Sequence, residues 1–256
     1  MKREDCKLNV KIYEKYRMFS YDFLFYYAIL IMFFSITKKL SMSDIMIISA
    51  IYSFSAFIWQ VPVNFIVQKL GLKKSIVIGN ILVLIEIIGY ILFSKIYGFI
   101  IVDFFGALGW SLKGVSESSI LYTSLKQINR KEDFSKIEGK SLSYFFIVDS
   151  LSSALSGFLF VFNNYIPMVL CALNVVISII LSTMFVDVEN DNDEIDKSVT
   201  LKSTFLQLTS ILKTKRGISL LLFIFLFWGI LSVGKKLYNA ILIDIGVAEE
   251  MIAVIL

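Results

Sequence analysis

Histidine is absent from this chain of 256 residues, and cysteine and proline occur only twice each. Without histidine the commonest general base and metal ligand is missing. Two cysteines without it make no zinc site. Cys6 falls in a polar amino-terminal stretch and Cys171 in the middle of an apolar run, so no disulfide between them is expected. No serine–base constellation and no metal-ligand spacing is present, and neither an enzyme nor a bound cofactor or metal is expected. Charged residues make up 18 %, below the roughly 25 % of ordinary soluble domains. The net charge of +4 comes with no basic run interleaved with a soluble fold, which argues against nucleic acid as a partner.

What fills the chain instead is apolar sequence. Apolar residues amount to 57 %, and the mean hydropathy is +0.77. They gather in runs over Tyr21–Ile36, Ile45–Val67, Ser75–Phe93, Phe99–Tyr122, Leu142–Phe162, Ile166–Phe185 and Gly217–Leu242. Another run begins near Met251. A bilayer span takes about 20 mainly apolar residues, so an all-α, polytopic transmembrane helix bundle is expected. About twenty mixed polar residues precede the first run, without a small-residue cleavage pattern, and an uncleaved first span is the simpler reading.

Most of the 25 Lys and Arg lie in alternate connections: Met1–Ser20, Gln68–Ser75, Thr123–Ser141 and Val186–Arg216. The opposite connections hold only Lys38, Lys39 and Lys95, while Lys113, Lys235 and Lys236 lie within runs. By the positive-inside rule the amino terminus is cytoplasmic. A multi-pass membrane protein is expected, with lipid as its surroundings. The outer links Thr37–Asp44, Ser94–Gly98 and Asn163–Tyr165 are short, so the helices they join should be antiparallel neighbours.

Four segments follow. Residues 1–20 form a cytoplasmic amino terminus, 21–185 a six-span unit, 186–216 a cytoplasmic linker, and 217–256 the start of a second unit, with a seventh span and the beginning of an eighth. The linker opens with Asp187, Glu189, Asp191, Asp193, Glu194 and Asp196, which cannot bury themselves. Its second part has Leu201, Phe205, Leu208 and Leu212 at helical spacing beside Lys202, Lys213, Lys215 and Arg216. That pattern suits a surface helix against the membrane or the bundle.

Ionisable residues inside spans are costly and usually face a bundle interior or a cavity. Here they are Glu86, Asp103, Lys113, Glu117 and Asp149. Asp103, Gly106, Trp110, Lys113 and Glu117 share one face of the fourth span, as expected for a helix lining a hydrated cavity. Lys113 needs an anion, and two are in reach. Glu117 is one turn away on the same helix. Asp149 should lie at the same depth on the next helix, both residues being roughly 10–14 Å inside the membrane at about 1.5 Å per residue. Such a pair either locks two helices together or belongs to a path for substrate and protons. Glu86 has no evident partner in its own helix and reads as a carboxyl that keeps its proton. Asp103 reads as close to the outer interface, Asp22 as a helix-start carboxylate. Gly106, Gly109 and Gly114, with Ser150, Ser152, Ser153, Ser156 and Gly157 of the fifth span, suit close helix packing. Pro62 should interrupt the second span.

The link from second to third span reads Val61-Pro62-Val63-Asn64-Phe65-Ile66-Val67-Gln68-Lys69-Leu70-Gly71-Leu72-Lys73-Lys74-Ser75. It resembles the signature loop of the major facilitator superfamily, with Lys69, Gly71, Lys73 and Lys74 matching. Asn64, Gln68 and Leu72 depart from it, standing where a glycine, an aspartate and a basic residue are usual. The stretch from Gly106 to Leu125 is similar to the fourth span of facilitator-type exporters, with Thr123 where a carboxylate is usual. Leu237 to Leu242, followed by Ile245 and Gly246, looks like the family's seventh span and outer loop. The resemblance implies the family's six-helix amino-terminal half, twelve helices in the whole fold, and alternating access by rocking of two halves. It makes Asn64, Gln68, Lys69, Gly71, Lys73 and Lys74 a cytoplasmic gate. It implies proton-coupled efflux of a small molecule across a bacterial plasma membrane, with Asp103, Trp110, Lys113, Glu117, Asp149 and Glu86 along the path. The carboxyl-terminal half would then be supplied in cis or by a second chain. A truncated, non-transporting accessory or immunity protein derived from such a transporter is the alternative.

Overall fold

The computed structural model describes residues 3–188, together with 214–220, 222–223 and 226–227. These belong to two units, the first holding residues 3–188 and the second those between 214 and 227. The second unit's described residues are helical from 215, with Phe223 and Phe227 stacked one turn apart at 5.7 Å. Most of the expected linker helix, the seventh span and the eighth lie outside the described residues.

The first unit is helical throughout its ordered elements: α1 (Arg3–Ser20), α2 (Leu30–Met32) running into a π-helical turn over Phe33–Thr37, α3 (Met42–Trp59), α4 (Pro62–Leu70), α5 (Leu72–Leu92), α6 (Ile96–Gln127), α7 (Phe134–Phe162) and α8 (Ile166–Thr183). Five helices are long and apolar enough to cross a membrane: α3, α5, α6, the segment Lys131–Phe162 containing α7, and α8. Their outward faces carry large apolar side chains, Phe57 and Phe162 being 74 % and 84 % exposed. That surface suits acyl chains rather than water. The described residues therefore form an all-helical, multi-pass membrane protein.

Local chemistry sets the helix ends. Ser41 caps α3 with a reciprocal pair: its hydroxyl accepts from the Asp44 N–H and Asp44 accepts from the Ser41 N–H. Pro62 begins α4, so the expected interruption of the second apolar run falls at Gln60–Val61. Gly71 separates α4 from α5 at φ +84°, where a side chain would be strained. The α7–α8 link is held by Asn163 Oδ1, which accepts from the Tyr165 N–H at 2.9 Å.

The first apolar run, Tyr21–Ile36, does not form one helix. Residues 21–29 are bends and turns, with Phe25 at φ +63°, and helix resumes only at Leu30. The break lies against α6 and α8, whose side chains take up the freed carbonyls. Lys113 Nζ donates to the Ser20 carbonyl at 2.9 Å and Asn174 Nδ2 to that of Phe19 at 2.8 Å. Irregular backbone at membrane depth is tolerated where protein satisfies it in this way.

The segment Met1–Ser20 also differs from a free polar tail. One face of α1, carrying Cys6, Asn9, Ile12, Tyr13, Tyr16 and Ser20, is buried against α6, α7 and α8. Asn9 holds it in place, exchanging hydrogen bonds with the Val186 N–H and carbonyl at 2.8 and 2.9 Å. Ile12, Val67, Ile76, Leu121, Ile137 and Phe185 meet beneath it in one apolar core. Burial, then the neighbouring Asp5, pushes the Cys6 thiol above its ordinary value.

α6 is the central element, packed against α1, α3, α4 and most extensively α5. Gly79 and Gly109 let α5 and α6 approach: a Cβ on either would lie 2.7–2.8 Å from the other's carbonyl oxygen. Gly114 meets nothing within 4 Å and takes no part in this packing. On α7, Ser152, Ser156 and Gly157 are buried as the small-residue pattern suggested.

Candidate functional site

The polar stripe of α6 faces the interior over its whole length, and neighbouring helices divide it into three zones. Glu117 is 1 % exposed, Lys113 3 % and Asp103 2 %. At the inner end Glu117 accepts hydrogen bonds from Tyr16 Oη, at 2.5 Å, and from Arg17 of α1. Arg17 also reaches Glu138 of α7 at 3.3 Å, and Tyr13 donates to the same carboxylate. Burial and the Glu138 contact push the Tyr13 phenol above its usual range, so it acts as a donor. Asn80 of α5 donates to Tyr16 Oη at 2.9 Å. This zone is a packed joint between α1, α5, α6 and α7.

In the middle zone Lys113 takes part in none of the ion pairs among the described residues. Its ammonium lies 4.1 Å from the centre of the Trp110 ring and caps the carbonyl end of α1. The negative end of the α1 dipole thus stands where a carboxylate was expected. Neither Glu117 nor Asp149 forms a direct ion pair with it among the described residues, although the Glu117 charge, one turn away, still acts on the ammonium. Asp149 is half-buried on α7, which packs on α1 and α8 and scarcely touches α6.

The outer zone contains the candidate site. Glu86 of α5 and Asp103 of α6 are both buried, and Tyr90 lies between them. Tyr90 Oη stands 3.0 Å from Glu86 Oε1 and hydrogen-bonds Asp103 Oδ1 as well. Glu86 therefore does have a partner in its own helix, one turn away. A phenol carries one hydrogen and can complete only one of these bonds as donor. The other forms only when one of the two carboxyls carries a proton. Gly106 makes room for this arrangement, since a Cβ there would lie 2.2 Å from the Glu86 carboxyl carbon.

Above the trio opens a cavity of about 100 Å³, lined by Glu86, Tyr90, Asp103 and Trp110, by Phe23, Tyr26 and Tyr27 from the chain break, and by Phe34, Ile48, Ser49 and Tyr52. Asp103 is thus buried at the floor of a cavity, 2 % exposed. Asp22 lies within the break, accepting from the Phe23 N–H at 2.8 Å and from Tyr27 Oη at 2.9 Å. It orders the turn that carries the aromatic wall instead of starting a helix. Lys38, expected in an outer link, is buried and donates to the Ile91 carbonyl at the end of α5, at 2.7 Å.

The motif residues occupy a separate place. Asn64, Gln68 and Lys69 are exposed on α4, Lys73 is half-buried and Lys74 exposed at the start of α5. Asn64 donates to the Gln60 carbonyl of its own turn. A Cβ on Gly71 would lie 3.6 Å from Asp187 Oδ1.

Tyr90, Arg17, Tyr16, Glu138 and Asn174 did not emerge from the sequence. Tyr90 could have been found from its i, i+4 spacing to Glu86. Tyr13 and Tyr16 could have been found from the helical spacing of Ile12, Tyr13, Tyr16 and Ser20. No family model, no curated protein and no solved structure matches this chain.

Proposed function

We propose that this chain belongs to a secondary active transporter of the major facilitator type, moving a small molecule outward in exchange for protons by alternating access. The observation that supports this most is the carboxyl pair Glu86–Asp103, bridged by one phenol at the floor of a cavity beside an interrupted helix. Interrupted helices next to a midplane cavity are where transporters place their binding sites. A buried carboxyl pair joined by a single phenol is suited to take up and release a proton as the cavity changes access. Proton coupling is assigned here to Glu86 and Asp103. Glu117, tied to Arg17 and Tyr16, serves instead to hold helices together. Asn64, Gln68, Lys69, Gly71, Lys73 and Lys74 form the cytoplasmic gate in this reading, with the amino terminus in the cytoplasm of a bacterial cell.

The test is dye flux in inside-out vesicles containing the complete gene product, with ethidium and rhodamine 6G as probes and a pH-sensitive dye following protons. The expected result is probe movement accompanied by proton movement, with coupling lost in Glu86→Gln and Asp103→Asn. Vesicles in which neither probe nor protons move above background would overturn transport in favour of the non-transporting reading. Unchanged coupling in both variants would remove the trio from the mechanism.

A further inference from the structure

At the end of the bundle that carries α1, five cations line one groove of about 350 Å³, formed by α1, the α6–α7 link and α7. Lys7 and Lys11 come from α1, Arg130 from the link, and Lys136 and Lys140 from α7. Two carboxylates share the groove and both are taken. Glu14 is held by Lys140 at 3.2 Å and Asp133 by Arg130 at 2.6 Å. Lys7, Lys11 and Lys136 enter no ion pair among the described residues. Three positive charges are therefore in excess where α1 and α7 pack together. Their mutual repulsion is relieved by an anion that reaches both helices at once.

A second observation says what kind of anion. The exposed face of α7 continues from Lys136 and Lys140 through Tyr144 to Ile147, Leu151 and Leu155, each three or four residues beyond the last. The Lys140 ammonium lies 5.7 Å from the centre of the Tyr144 ring, so charge gives way to apolar surface at a tyrosine. Tyrosine favours the boundary between membrane and water. From Tyr144 to Leu155 the strip is about 16 Å long at about 1.5 Å per residue. That is half of a hydrocarbon core of roughly 30 Å, the reach of one acyl chain. We infer that the groove holds the phosphate of an anionic phospholipid, with an acyl chain laid along this strip of α7. Basic pockets beside membrane helices take anionic headgroups in this way. A soluble phosphate would match the lysines and leave the adjoining apolar strip unused. Bound there, the lipid braces α1 against α7 from outside the bundle, as Arg17 does from within. The assignment is independent of transport and holds whether or not the chain moves a solute.

The experiment is native mass spectrometry of the full chain in detergent, titrated with phosphatidylglycerol and with phosphatidylcholine of identical acyl chains. Glycerol 3-phosphate serves as the soluble headgroup. Phosphatidylglycerol is expected to bind at least about tenfold more tightly than phosphatidylcholine, and glycerol 3-phosphate at equal concentration to leave it bound. The double variant Lys11→Gln with Lys136→Gln is expected to weaken phosphatidylglycerol by about tenfold. The double variant Lys15→Gln with Lys131→Gln removes the same charge from exposed positions that do not line the groove, and should change binding less than about twofold. All four lysines are exposed, so both variants should keep the wild-type unfolding midpoint in lipid-free detergent. Equal binding of the two lipids would overturn the site. Equal losses in the two double variants would overturn it too, by showing only the general attraction of a basic surface. Displacement by glycerol 3-phosphate would overturn the lipid and assign the groove to a soluble anion.

Discussion

Arg17 carries more of the structure than its position in a polar amino-terminal stretch suggests. It joins Glu117 of α6 to Glu138 of α7 from a third helix, and Glu117 is nearly sealed from solvent. Removing one partner of a buried pair leaves an uncompensated charge, at a cost of about 3–5 kcal/mol. Arg17→Ala is therefore expected to lower the thermal unfolding midpoint in detergent sharply. The double variant Arg17→Leu with Glu117→Leu removes both charges and should recover most of the loss. Equal midpoints for wild type and Arg17→Ala would show that the joint contributes little. The sequence showed that Glu117 is an acid in an apolar helix and must therefore be paired. It did not show the partner, because Arg17 precedes the first apolar run by four residues and looks solvated. Lys113 is the same problem seen from the other side: spacing finds carboxylates, whereas its actual acceptor is a backbone carbonyl exposed only because α1 stops at Ser20.

At the scale of elements, long apolar runs were read well. α5, α6, α7 and α8 lie where hydropathy placed them, although α6 and α7 extend several residues beyond their apolar stretches, and the second run is divided between α3 and α4. Tyr21–Ile36 was equally apolar and yet is not one helix. Its break depends on Lys113 and Asn174, which no local pattern reveals. The glycines of α5 and α6 test the packing that positions the site. Gly79→Ala and Gly109→Ala each force a methyl against the facing helix backbone, and a loss of about 1–3 kcal/mol is expected. Gly114→Ala meets open space and gains helix propensity, so it should be neutral or stabilising by up to about 1 kcal/mol. Thermal denaturation of the three variants in one detergent measures the ordering. A Gly114→Ala variant as damaging as the other two would contradict the α5–α6 interface.

For the whole molecule, the outer faces of α3, α7 and α8 expose Phe57, Leu151 and Ile180, while polar residues such as Glu86, Asp103, Lys113 and Glu117 are turned inward. This inversion of the soluble pattern calls for a lipid environment. The chain is expected to remain in the membrane pellet after an alkaline carbonate wash and to be released only by detergent. Recovery in the wash would contradict the bilayer reading.

The end of α1 also bears on the order of assembly. Its last carbonyls find their donors 93 and 155 positions later in the chain, on α6 and α8. During synthesis those oxygens have only water or lipid headgroups to bond until the later helices have been threaded into the bilayer. The end of the segment made first therefore completes its hydrogen bonding only after α8 has been made.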